Sequence, residues 1–124
     1  MSNPMTTARQ ALAAAIQTAI PTVSVYSAAP EVATVPAILL QAGTPWARPL
    51  TYSKTELSLI ATVLAVQGTN EAATERLEET VWAAVAAIRA TGAIVTTIGT
   101  PTQQTYGPAQ YAATDVAVLL HVDD

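Results

Sequence analysis

Apolar residues recur at three- and four-residue steps near the start of the chain, and this spacing predicts an amphipathic helix over Thr6–Ile20. Pro21 ends the helix, because proline has no backbone N–H and cannot continue the hydrogen-bond ladder. The predicted apolar face consists of Met5, Ala8, Leu12, Ile16 and Ala19.

The same spacing predicts a second helix after Asn70, whose side chain suits the N-cap position. Glu71 and Glu75 follow in the first turns, where the positive end of the helix dipole favours carboxylates. Gly92 suits a left-handed residue at the end of this helix. The predicted buried stripe consists of Leu77, Val81, Ala84, Val85 and Ile88.

Five further segments have the composition or the alternation of strands. Four of them are rich in β-branched and apolar residues, and the last, Tyr111–Val122, alternates in its second half between two sets of side chains that point to opposite faces. Thr22–Tyr26 and Val35–Gln41 are predicted to form a hairpin. In Lys54–Val66 the second half is apolar at nearly every position, which predicts cover on both faces of that strand, by the helices of the domain on one side and by a partner on the other. The closing strands are predicted at Ala93–Ile98 and Tyr111–Val122.

Two segments lack this regularity. Gly43–Ser53, with the sequence GTPWARPLTYS, contains two prolines and a glycine, so it is predicted to be an irregular loop or an edge excursion. The sequence GTPTQQTYGPAQ at 99–110 has no charged residue and is predicted to be a loop between the last two strands.

The order of elements predicts one α+β domain over residues 1–124. Its expected architecture is a mainly antiparallel sheet of four to five strands with two helices packed on one face. Length agrees with this expectation, since 124 residues suit one domain with a substantial core.

The composition predicts a protein that associates with others. Hydrophobic residues make up 51% of the chain and charged residues only 11%, about half the share usual in soluble domains. No charged residue lies between Arg9 and Glu31, or from Ala90 to Thr114. Contacts over such surfaces have few charges to desolvate. The net charge of −4 and the scattered basic residues argue against specific nucleic-acid binding.

The residues needed for catalysis are scarce. The chain has no cysteine and one histidine, and it carries none of the nucleophile-elbow, phosphate-loop or dinucleotide-binding motifs. His121 with Asp123 and Asp124 could in principle ligate a metal, but a solvated residue near a terminus is the favoured interpretation. Glu75, Glu78 and Glu79 lack the accompanying Glu-x-x-His of carboxylate metal sites, so a solvated helix face, or a surface that binds a basic neighbour, is expected. We therefore expect no enzyme, no cofactor and no metal.

The two tryptophans are assigned differently. Trp82 follows Val81 beside the apolar stripe of the second helix, which favours a core or core-edge position. Trp46, in the proline-rich segment, is an interface candidate, because tryptophan is enriched at binding hot spots. Tyr106 and Tyr111 flank a Gly-Pro pair and could either cap the sheet edge or contact a neighbouring subunit.

The elements follow the chain as the helix ending at Ile20-Pro21, the strands TVSVY, PAILLQ and SLIATVLAVQG, the helix opened by TNEAATERLEETV, and the closing VAVLLHVDD. This order of elements resembles that of the tail terminator family of long-tailed bacteriophages. The Ala- and Thr-rich style is similar to that of actinobacterial phages. The resemblance covers nearly the whole chain and lies in the order of elements, since the family has no short signature motif.

The resemblance implies a non-catalytic subunit without cofactors, which forms a hexameric ring in the virion neck after assembly in the host cytoplasm. Such a ring caps the tail tube, ends its polymerisation and meets a head-completion or connector protein, and DNA passes through it without specific binding. No membrane partner is expected, because no apolar run in the sequence reaches the roughly 18 residues that a membrane span requires. By analogy, contacts with neighbours are expected at Trp46, Arg48, Leu50, Tyr52, Gln103, Gln104, Tyr106 and Tyr111.

Two alternatives remain open at this point. Another neck component, either a head-to-tail connector or a head-closure protein, would share the composition and the ring. A small non-catalytic ligand-binding module would instead be a monomer or dimer with an apolar pocket.

Overall fold

A computed structural model describes residues 3–28, 35–51, 54–66, 71–106 and 109–123. Its two helices and six strands follow the chain as α1 (Pro4–Ala19), β1 (Ser24–Tyr26), β2 (Ala37–Thr51), β3 (Lys54–Val66), α2 (Glu71–Ala90), β4 (Ile94–Ile98), β5 (Thr102–Tyr106) and β6 (Ala109–Asp123). The sheet has the order β1-β2-β3-β6-β4, and β5 also pairs with β6. The predicted α+β class is confirmed, with six strands in place of four to five.

Helix α1 begins where the sequence supplies a cap. The Asn3 side chain accepts a 2.8 Å hydrogen bond from the Thr6 N–H, and proline occupies the first turn. Leu12 and Ile16 are buried as predicted, whereas Ala19, predicted on the same face, is exposed. The helix ends at Ala19, one residue before the predicted end.

Helix α2 confirms the predicted stripe, since Leu77, Val81, Ala84, Val85 and Ile88 are all buried. Gly92 has a φ of +91°, the left-handed conformation expected after the helix. Its N–H donates to the carbonyl oxygen of Arg89. Asn70, the predicted N-cap, lies outside the described residues.

The predicted hairpin between the first two strands is wrong. β1 pairs with β2 in parallel, with Ser24 opposite Ala37 and Tyr26 opposite Leu39. Ten residues, 27–36, connect these strands. A hairpin loop is usually two to five residues long, whereas parallel neighbours require the chain to return to the end where it started. The sheet is therefore mixed, although its other four strand pairings are antiparallel.

The segment Gly43–Ser53 was predicted to be irregular, but the part of it that the structure describes belongs largely to β2. This strand continues to Thr51, and Ala47, Arg48 and Pro49 pair with β3 across an irregularity between Ala42 and Ala47. Beyond Leu39 no described strand pairs with the outer side of β2. An edge position explains the prolines, because the missing N–H removes no hydrogen bond between strands there.

The predicted loop at 99–110 is also largely a strand. β4 and β5 lie one after the other along the same side of β6, so they form an interrupted arm of one long hairpin. At the interruption, the Gly99 N–H donates a 2.7 Å hydrogen bond to the Asp115 carbonyl oxygen. Gly107 and Pro108, between β5 and β6 in the sequence, lie outside the described residues.

The core lies between the two helices and one face of the sheet, as predicted. Alternate residues of β3 enter it, and its fully buried members include Ile16, Ile38, Val63, Ile88 and Val116. The opposite face has a smaller cluster formed by Ala37, Leu39, Leu64, Tyr111 and Ala113. Tyr26 and Val35 pack against this smaller cluster, so one end of the second face is also covered.

Candidate subunit interface

Trp46 lies where β2 departs from regular pairing. The strand is irregular between Ala42 and Ala47, and there Gly43 approaches β3 closely: an added Cβ would lie 3.0 Å from the carbonyl oxygen of Ser58. After this irregularity Ala47 packs against the main core and Trp46 remains 53% exposed. The predicted interface candidate is therefore exposed on the sheet edge.

The inner part of Trp46 contributes to a cavity of about 140 Å³ at the start of α1. The other lining residues are Asn3, Met5, Thr6, Arg9, Leu57 and Leu59. The buried Nε of Arg9 has no hydrogen-bond partner within the described ranges. The exposed indole of Trp46 can therefore gain contacts from a neighbouring molecule, whereas the unsatisfied Arg9 donor is enclosed by the subunit itself.

Arg48 lies on the face of the sheet that carries no helix. Its guanidinium Nη2 is 3.3 Å from Glu56 Oε1, and His121 Nε2 is 3.8 Å from Glu56 Oε2. The three residues are direct partners across β2, β3 and β6. The Glu56 side chain is only 16% exposed, whereas that of Arg48 is 62% exposed, so Arg48 can pair with Glu56 and still meet a partner.

A shallow trough of about 470 Å³ adjoins this ion-pair cluster on the helix-free face. Its floor is mainly small or apolar, with Gly43, Pro45, Ile60, Ala117 and Leu119 among the lining residues. β3 was predicted to be covered on both faces; here Ile60 is only partly buried. The trough therefore leaves part of the second face open.

The remaining interface candidates divide into three groups. Leu50, 40% exposed, and Gln103 are accessible. Tyr52 and the side chains of Gln104 and Tyr106 lie outside the described residues. Tyr111 is only 8% exposed and belongs to the smaller core cluster, so its assignment to a contact surface is corrected to a core position.

The assignment of Trp82 to the core or its edge is wrong. Its side chain is 70% exposed, because it lies about 100° around α2 from the buried Val81. The sequence did carry a signal for this position: Glu75, Glu78 and Glu79 precede Trp82 by seven, four and three residues, which places them on the same helix face. These three glutamates, Trp82 and Ala83 border a common surface depression.

Sequence reasoning also missed two exposed isoleucines on the arm. Ile94 is 49% exposed and Ile98 is 47% exposed, and both lie in β4 beside β6. Their exposure depends on β4 being at the edge of the sheet, which the residue pattern alone does not reveal.

The described part of the chain contains no group of three or more residues that could hold a metal ion. His121 lies opposite Glu56 across β3 and β6, with its Nε2 3.8 Å from Oε2 of that carboxylate. Among the residues that the structure describes, no helix has both the length and the apolar character needed to cross a membrane.

No protein-family model and no curated protein matches the chain.

Proposed function

We propose that this protein is a structural tail terminator, a subunit whose ring caps the tail tube of a long-tailed phage and joins it to the head-completion or connector proteins. The main support from the structure is the distribution of exposed apolar side chains. Among the side chains that the structure describes, five large apolar ones are at least 40% exposed, and they lie on three parts of the surface: Trp46 and Leu50 on β2, Trp82 on α2, and Ile94 and Ile98 on β4.

This distribution fits a subunit with several neighbours. A ring requires two different patches on each subunit, one for each adjacent copy, and contacts with the tube and the connector require further surface. Exposed tryptophan is well suited to such contacts, because a large rigid side chain is desolvated at little entropic cost. The resemblance of the chain to tail terminators selects this assembly among others.

Within this proposal, the edge of β2 with Trp46, Arg9 and Leu50 is the leading subunit or tube contact. An incoming neighbour would cover the indole of Trp46, which is 53% exposed. The arm formed by β4, β5 and the start of β6 is the second such contact, with Gln103 and Ile98 exposed on it.

Imaging by negative stain, together with mass measurement by light scattering, tests the ring. Mixing the protein with tail-tube protein during polymerisation then tests the function, and the expected result is short tubes with a capped end. A stable monomer or dimer that leaves tube length unchanged would contradict the proposal. Phage particles assembled without this protein distinguish a terminator from another neck component. Overlong tails indicate a terminator, and unjoined heads and tails of normal length indicate a connector.

A further inference from the structure

The outer face of α2 carries a charge pattern that is symmetric in position about Trp82. Glu75 precedes the tryptophan by seven residues and Arg89 follows it by seven. Seven residues make about two helical turns, so the three side chains share one face and the two charges lie about 10 Å on either side of the indole. All three residues are exposed, and neither charge forms an ion pair with another described residue.

We infer that this face binds the same face of a second copy, with the two α2 helices antiparallel and crossing at Trp82. In that arrangement Glu75 of each copy lies level with Arg89 of the other, which forms two equivalent ion pairs around two stacked indoles. An isologous contact requires such a self-complementary patch. The inference does not rest on the proposed function.

Small residues make the close approach possible. Ala86 and Ala90 are exposed on α2 after Trp82, and Ala83 is partly exposed beside it. Without long side chains at these positions, the two helices can approach closely enough for the indoles to stack and bury most of their rings. Glu78 of one copy would lie level with Ala86 of the other, where no acidic group opposes it.

Repulsion between the remaining acids is modest in this arrangement. The two copies of Glu78 would be about 12 Å apart along the helix axis, and those of Glu79 about 9 Å apart. Both separations are near or beyond the screening length at physiological salt, about 8 Å. The oppositely charged Glu75 and Arg89 are adjacent, so attraction between near neighbours exceeds repulsion between distant ones.

Light scattering on the full chain over a dilution series tests the pairing. At high concentration the wild-type particle is expected to have twice the mass of the Trp82→Ala particle. This holds whether the species that pairs is a single subunit or a whole ring. Glu75→Arg and Arg89→Glu should each halve the mass, and the double variant should restore it, because the two charges are exchanged. Arg76→Glu makes the same change of charge as Arg89→Glu but lies off this face, and it should leave the mass unchanged.

Equal masses for wild type and Trp82→Ala, or a double variant that stays at half mass, would overturn the inference. The emission of Trp82 in a Trp46→Phe background provides a second measurement, with a shift to shorter wavelength expected as concentration rises; an emission maximum independent of concentration would also overturn it. The proposed function is judged separately, since single rings of Trp82→Ala would support it even if the doubling failed.

Discussion

The hydroxyl of Thr62 donates a 2.9 Å hydrogen bond to Oδ1 of Asp115, its direct partner across β3 and β6. Thr62 is 2% exposed, so the bond satisfies a polar group in the middle of the sheet. One position along, Thr114 is 3% exposed, and its hydroxyl has no hydrogen-bond partner in the parts of the chain described. The two threonines are therefore similarly buried, but only the hydroxyl of Thr62 is hydrogen-bonded.

We predict that Thr62→Val lowers the free energy of unfolding by about 1 kcal/mol, because it removes a hydrogen bond to a carboxylate that is itself partly hydrated. Thr114→Val is the matched control and should be neutral within about 0.5 kcal/mol or stabilising, since it replaces an unsatisfied buried hydroxyl by a methyl group. Urea unfolding of both variants measures the difference. A larger loss for Thr114→Val than for Thr62→Val would contradict the prediction.

The close approach of β2 to β3 at Gly43 gives a second prediction. Gly43→Ala should destabilise the protein by about 1 to 3 kcal/mol, because the new methyl group meets backbone atoms of Ser58 that cannot move independently. It should also change the emission of Trp46, which lies in the same irregular part of the strand. Ala42→Ser, at the exposed neighbouring position, is the control, and thermal unfolding with Trp emission is the measurement. Equal stability of the two variants would show that the strands can separate locally.

Trp46→Ala should leave the subunit folded, with a loss of about 2 kcal/mol, below the range for fully buried aromatic residues, because about half of the side chain is already exposed. The same change should weaken ring formation or tube capping. Trp46→Phe keeps an aromatic ring against the cavity at the start of α1 and should retain more of both properties. Circular dichroism during heating and negative-stain counts of rings are the measurements. Normal ring formation by Trp46→Ala would remove this edge from the proposed contacts.

The structure reverses the expectation for Trp82. Trp82→Ala should change the stability of the dilute, dissociated subunit by no more than about 0.5 kcal/mol, because the side chain is 70% exposed. Ile88→Ala on the same helix, at a position with 0% exposure, should cost about 2 to 5 kcal/mol. Chemical unfolding at low protein concentration compares the two variants. A loss near 3 kcal/mol for Trp82→Ala would return it to the core.

Much of the candidate interface could be anticipated for Trp46 and Leu50, since an edge segment rich in proline is accessible whether it is a loop or a strand. Tyr111 could not be placed in this way. Its neighbours in sequence resemble a loop, and it is buried only because β6 brings it against Leu39 and Leu64 of other strands. Arg48 is an intermediate case, since its exposure was expected but its ion pair with Glu56 depends on the register of β2 and β3.

The sequence by itself determined α1, α2 and β3, because each is specified by local periodicity and by residues that end a helix, such as Pro21 and Gly92. The buried stripe of α2 and the bounds of β3 follow from this local information. Strand partners are a different matter, since they join residues far apart in the chain.

Only the tertiary structure decided that β1 is parallel to β2, that β2 continues past Pro45, and that β5 extends the arm along β6. In each case the outcome depends on which strand lies alongside and on which edge remains unpaired. A proline is harmless in an edge strand and disruptive in the middle of a sheet. A proline-containing segment is therefore compatible with a loop or a strand until the strands on either side of it are known.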